Sequence, residues 1–128
     1  TLQSAQRIAL NNGYDSFLMF NVYAQRATRP DDMERVCNSA LHEENRKAFR
    51  YLLSLSETPA IWAAWGNIIE KRDYLMDCMR DFAADGQAAN AQWFTAGPLL
   101  KSGHPHHPLY LKSTTALQPF DIDAYLRR

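Results

Sequence analysis

At 128 residues, with 46% hydrophobic and 22% charged side chains, the chain has the make-up of one globular domain that buries a core without metal or disulfide staples. Its 14 basic side chains balance its 14 acidic ones, which argues against a strongly basic nucleic-acid binder; no apolar run nears the roughly 20 residues a bilayer-spanning helix needs. The N-terminus lacks the pattern of a secretion signal, and Cys37 and Cys78 have no framework spacing, so free thiols, a cytoplasmic location and no membrane association are expected.

The charge is unevenly spread. Residues 1–30 hold 3 basic side chains and 1 acidic, residues 31–86 hold 7 and 11, and residues 87–128 hold 4 and 2. The two mildly positive ends also carry the unusual loops.

In chain order, Leu2 to Asn12 reads as the end of a helix, with Leu2, Ala5, Ile8 and Ala9 on one face, and Gly13 is a natural stop. Ser16 to Tyr23 is a nearly continuous apolar run, which suits a strand buried on both faces in a parallel sheet. Residues 24–30 read as polar loop, and Asp31 and Asp32 are placed to open a short helix. A helix is predicted over Leu41 to Leu55, with Phe49, Leu52 and Leu53 inward and a Glu43–Lys47 pair outside.

Ala60 to Trp65 is a second predicted strand, ended by Gly66. Asn67 then caps a long helix to about Ala84, with Ile68, Leu75, Met76, Met79, Phe82 and Ala83 as its apolar stripe. Ala91 to Thr95 is a third strand. Residues 101–111 hold three of the four histidines and two of the six prolines. Proline removes a backbone donor and clashes with a helical turn, so this stretch is expected to be a shaped loop that presents imidazoles. Asp121 caps a last short helix through about Arg127.

This alternation predicts a single α/β domain over residues 1–128, in three layers (α/β/α) with a short, mostly parallel sheet. The opening helix has no strand before it to pair with, so an additional strand preceding Thr1 is expected. In such sheets ligands bind at the carboxyl ends of the strands. Those ends are Asn21 to Pro30, Trp65 to Asn67 and Ala96 to Tyr110, and their convergence marks the expected site.

Each candidate there has two readings. Asn21, inside an apolar run, is either a structural tie or a ligand contact. Arg26 and Thr28 either grip an anion such as phosphate or belong to a solvated loop. Gly66 and Asn67 either offer backbone donors to an anion or simply start a helix. Trp65 either stacks on a base or packs in the core. His104, His106 and His107 are open to general-acid or charge-stabilising work, or to a purely structural His-Pro turn. A metal site is not assigned: two of the histidines are adjacent and no Cys or carboxylate lies close in sequence. No cofactor is expected. GxSxG, Walker-type, HExxH and CxxC patterns are absent from the sequence, so hydrolase, triphosphatase and redox readings of those classes have no footing. Cys37 has no obvious base nearby in sequence and reads as inert.

Three groups of residues carry a resemblance. Gly13-Tyr14 leads through Phe20-Asn21-Val22-Tyr23-Ala24 to Arg26-Ala27-Thr28 and Pro30-Asp31; Ala63-Ala64-Trp65-Gly66 follows; Lys101-Ser102-Gly103-His104-Pro105 and His107-Pro108-Leu109-Tyr110-Leu111 close the set. In that order they resemble the bacterial and phage family catalogued as domain of unknown function 1643, over about Thr1 to Phe120. The family's opening strand, which ends in Asn-Pro-Ser, is absent. Leu100 stands where members carry a small polar residue, and His106 where arginine is common. The family implies no established activity.

At the level of fold, the layout is also similar to that of uracil-DNA glycosylases, whose late His-Pro loop enters DNA and stabilises the base being removed. That similarity implies a nucleic-acid- or nucleotide-binding domain, extending to a base-excising hydrolase, with His107 and Asn21 as the catalytic residues. His107 would then stabilise charge on the leaving base, Leu109 or Tyr110 would act as a wedge, and Arg26 and Lys101 would hold phosphate. Thr28, Trp65, Gly66, His104 and Pro108 complete the ligand-binding set. The alternative is a non-catalytic module for a small anionic ligand or a protein partner.

Overall fold

A computed structural model describes residues 2–23, 33–108 and 111–127. Helix α1 spans Leu2–Asn11. Its apolar face is buried at Ala5, Ile8 and Ala9, and the chain turns at Gly13, whose φ of +90° only glycine adopts freely. Asn12 ties α1 to the C-terminal third of the chain. Its side-chain amide donates to the Thr115 carbonyl at 2.9 Å, and its Oδ1 accepts the Leu117 N–H at 2.9 Å.

Residues 16–23 are not a strand. The apolar run is anchored by side chains three apart instead of alternating: Phe20 lies 5.1 Å from Phe49 and 5.6 Å from Phe82 between ring centroids, and Tyr23 lies 5.0 Å from Tyr74. Leu18 and Met19, just before Phe20, stay exposed. A ladder would send neighbours to opposite faces with a period of two, and residues 20 and 23 instead both reach the same core. Residues 33–38, next to the predicted short helix at Asp31 and Asp32, form bends without a helix; Asp31 and Asp32 lie outside the described residues.

Helix α2 spans Ser39–Leu53. It starts earlier than predicted because Asn38 is the cap, its Oδ1 accepting the N–H groups of Ala40 and Leu41 at 3.1 and 3.2 Å. The surface ion pairs run i,i+3, with Lys47 on Glu44 at 3.4 Å and Arg46 on Glu43 at 3.9 Å, rather than Glu43 to Lys47. Both pairs have an exposed carboxylate and contribute little.

Strand β1 is Ala60–Trp62. The long helix predicted from Asn67 is two pieces: a 3-10 helix at Gly66–Lys71, then α3 at Tyr74–Ala88. The break is Arg72, which is extended at φ −138°, ψ 138°. Its guanidinium donates to the carbonyls of Met33, at 2.7 Å, and Glu34, at 3.2 Å, and these bonds stitch the 33–38 segment to this corner. With three residues per 3-10 turn, Ile69 faces inward at 1% exposure and Ile68 outward at 51%, so Ile68 is not part of the apolar stripe. Helix α3 continues past Gly86, where the Trp93 indole packs against the glycine; a Cβ there would sit 3.2 Å from the indole nitrogen.

The remaining elements are β2 at Gln92–Ala96, β3 at Leu117–Pro119 and α4 at Ile122–Leu126, capped by the Asp121 carboxylate on the Ala124 N–H at 3.0 Å. The sheet order is β1-β2-β3. Strands β1 and β2 are parallel, with Ile61 opposite Trp93. Strands β2 and β3 are antiparallel, with Thr95 opposite Gln118. The described residues thus form a mixed α/β fold, with a small three-stranded sheet that has one parallel and one antiparallel pair in place of a mostly parallel one. Strand β3 escaped prediction because it is three residues long and ends in proline, which strand patterns exclude.

The core gathers Tyr23, Phe49, Leu53, Ile69, Met79, Phe82, Trp93 and Tyr125. A polar seam crosses it between α2 and α3. Arg46 grips Asp85 in two bonds, at 2.8 and 3.0 Å, with the carboxylate only 7% exposed. His42 Nε2 lies 2.7 Å from Asp81 Oδ2. Both cysteines are free, and burial pushes the Cys78 thiol up to about 12. Among the described residues no helix is long and apolar enough to cross a membrane.

Candidate ligand-binding site

The parallel pair aims the ends of β1 and β2 in one direction, and the segments that follow meet. After β1, the chain reaches Gly66 with φ +63°. Its N–H donates to the Pro105 carbonyl at 2.9 Å. A Cβ on Gly66 would lie 3.6 Å from the His107 Cβ and 3.9 Å from the Pro105 carbonyl oxygen, so the His-Pro loop rests on the glycine. Ser102 Oγ–H donates to Asn67 Oδ1 at 2.5 Å and fixes a second point of the same seam. Asn67 therefore works as a side-chain acceptor for the loop and not as a helix cap, a position held by Trp65.

Inside the loop a tight turn is closed by Leu100 N–H on the His104 carbonyl at 3.0 Å and by Gly103 N–H on the Leu100 carbonyl at 2.8 Å. Gly103 has φ +88°. The turn buries His104 to 3% exposure, and Pro105 and Pro108 are buried beside it. His104 Nδ1 lies 2.7 Å from the Tyr125 hydroxyl, and Trp65 Nε1–H donates to that same hydroxyl at 3.0 Å. His104 Nε2 lies 3.5 Å from Glu70 Oε1 without forming a hydrogen bond.

Tyr125 therefore joins the end of β1, the loop and α4. His104 is an inward anchor of the loop, and Trp65 is held by Tyr125 and by Phe120, 6.3 Å away between ring centroids. Trp65 packs against these rings and stays partly exposed.

His106 and His107 are half-buried. His106 Nδ1 lies 2.7 Å from the His107 carbonyl oxygen. Burial lowers the His107 pKa below its ordinary 6.5, with His106 adding to the shift, so this imidazole is neutral at neutral pH and can donate or accept a hydrogen bond. Lys101 is exposed on the turn. Among the described residues no three His, Cys, Asp or Glu side chains gather in a way that could hold a metal ion.

Trp65, Gly66, Lys101, His104, His107 and Pro108 thus come together at one corner. Asn21 does not join them through any hydrogen bond seen. It is exposed, and its carbonyl accepts the Asn45 side-chain N–H at 2.9 Å on the flank of α2, so the expectation of a buried amide within a strand is corrected. Arg26, Thr28, Leu109 and Tyr110 lie outside the described residues.

Sequence reasoning missed Tyr125, Glu70 and a cleft beside the loop. The cleft has a volume of about 600 Å³ and is lined by residues 97–99 and 103, by β3 and by Phe120, Asp121 and Tyr125, with Thr95 at its base. Its outline depends on β3, which has no strand signal in the sequence. Tyr125 alone left a trace, as an aromatic in the helix opened by Asp121.

A family profile described as a protein of unknown function (DUF1643) matches residues 1–109. No curated protein and no solved structure matches the chain.

Proposed function

The chain belongs to the DUF1643 family, and we propose that its docked His-Pro loop is the working part of a nucleotide- or nucleic-acid-binding site. The observation that carries this reading is the Gly66 N–H to Pro105 carbonyl bond at 2.9 Å. It locks the two loops at the carboxyl ends of the parallel strands into one surface, which is where ligands enter sheets of this kind. On that surface Lys101 supplies a cation for a phosphate, and the half-buried His107 supplies a neutral imidazole.

The similarity to uracil-DNA glycosylases extends the reading to base excision. There His107 would hydrogen-bond the base as negative charge develops on it, in a site where water is partly excluded. The reading rests first on His107 and Lys101; Asn21, the other catalytic candidate, is exposed, with its backbone carbonyl bonded by the Asn45 side chain. The balanced net charge favours one competing reading, a non-catalytic pocket for a small anionic ligand.

Fluorescence anisotropy with labelled single- and double-stranded oligonucleotides tests the proposal. Saturable binding that weakens with added salt and is lost in His107→Ala or Lys101→Ala is expected. No binding even at low salt overturns it and leaves the small-ligand reading.

A further inference from the structure

The cleft beside the His-Pro loop has a polar floor. Thr95 of β2 is only 4% exposed, yet its hydroxyl bonds to no described residue and is not among the sealed, unpartnered polar atoms. A hydroxyl this deeply placed normally finds a partner, and here it opens on the cleft that Thr95 lines. Gln118 stands directly opposite Thr95 in the antiparallel register, so the two side chains share a face. An amide there both donates and accepts.

At the rim stands Asp121. One of its oxygens caps α4, and a carboxylate has capacity for further donors. The walls are apolar: Pro98 and Leu99, the latter 46% exposed, and the rings of Phe120 and Tyr125.

The described lining contains no Lys, Arg or His. An anion placed inside would meet Asp121 with nothing to offset it. The complementary occupant is flat, apolar on both faces, and carries N–H donors on its edge. A cleft of about 600 Å³ falls in the size range of small-molecule sites.

We propose that this cleft takes a planar nitrogen heterocycle with N–H donors, a nucleobase in chemical class. Thr95 and Gln118 read its polar edge, Asp121 accepts from an exocyclic amino group, and Leu99 and Phe120 cover its faces. The proposal rests on the reading of the His-Pro loop as nucleotide-binding and names where the base sits. Lys101, on the turn that contributes Gly103 to the cleft, then serves the phosphate outside it.

Calorimetric titration of the full chain with cytidine, uridine and inorganic phosphate tests this. Cytidine is expected to bind saturably. Thr95→Val, which keeps the side-chain shape and removes the hydroxyl, should weaken binding about 3- to 10-fold, and Thr95→Ser should restore it. Asp121→Asn retains the cap oxygen and should weaken cytidine while sparing uridine, which lacks the amino group. Phosphate binding should ignore Thr95→Val.

Cytidine that binds equally well to Thr95→Val overturns the assignment. So does a chain that binds oligonucleotides but no nucleoside, and in that case the reading of the His-Pro loop survives. A chain that binds neither overturns both. Thr95-dependent cytidine binding without oligonucleotide binding upholds the cleft and narrows the loop's role to free nucleotides.

Discussion

Gly66 donates its backbone N–H to the carbonyl of Pro105 at 2.9 Å while holding φ at +63°. The conformation of the first loop therefore sets the position of the second. Gly66→Ala isolates this link. A Cβ would meet the His107 Cβ at 3.6 Å, an ordinary contact, so its cost is backbone strain and not collision. A loss of about 1–2 kcal/mol is expected for a non-glycine residue in the left-handed region. Urea unfolding measures it, and an unchanged midpoint would contradict the account.

Tyr125→Phe removes the hydroxyl shared by Trp65 Nε1 and His104 Nδ1. The ring packing survives, and two polar atoms in a mostly buried setting lose their partner. Each such loss costs about 1–3 kcal/mol. Trp65→Phe removes one donor and leaves the His104 contact intact, so on the hydrogen-bond side it should cost less. The two variants compared by chemical denaturation give the ranking; equal stability of Tyr125→Phe and the parent chain would dismiss Tyr125 as the joint.

Helices announced by caps and glycine stops were readable in the chain: Gly13 ends α1, Asp121 opens α4, and Leu75, Met79, Phe82 and Ala83 line the buried face of α3. The Ser16 to Tyr23 run misled because apolar content alone does not separate a strand from an irregular segment pinned by Phe20 and Tyr23. The Arg72 break between the 3-10 helix and α3 was hidden because it depends on carbonyls at Met33 and Glu34, nearly forty residues away in sequence. The loop with Lys101, His104 and His107 was legible from its prolines. Its anchor at Tyr125 was not, because a tyrosine in a short helix carries no signal of what its hydroxyl will meet.

The Arg46–Asp85 pair crosses the α2–α3 interface with the carboxylate 7% exposed and the guanidinium side chain 21% exposed. Hydrogen bonding to Asp85 raises the Arg46 pKa, so the cation is retained at any working pH. Asp85→Ala removes both short hydrogen bonds of a partly buried cation and leaves it only the longer contacts to Glu43 and Asp81, each at 3.9 Å. Full burial would make that cost about 3–5 kcal/mol; the partial exposure of Arg46 brings the expected loss to about 2–3 kcal/mol. Asp81→Ala, at a site 45% exposed, should cost less. Thermal unfolding of the two variants checks the order.

His107 predicts a pH dependence of stability. Burial lowers its pKa in the folded chain below the ordinary 6.5, so the unfolded chain binds the proton more readily. Between the lowered value and 6.5 the unfolded state carries more protons, and stability rises with pH. The contribution is present above about pH 6.5 and is lost as pH falls through the lowered value. Unfolding midpoints between about pH 7 and pH 5 should fall more in the parent chain than in His107→Gln, which does not titrate. Parallel profiles would show that His107 is not buried as described.

The central claim is that the Gly66 turn and the His-Pro loop form one ligand surface. Its most direct test is an amide-resolved nuclear magnetic resonance titration of the chain with a short single-stranded oligonucleotide. The account predicts shifts that concentrate at Gly66, Asn67, Ser102, Gly103, His104 and His107 and saturate together with one affinity. Shifts confined to α1 and α2, or none at all, would contradict it.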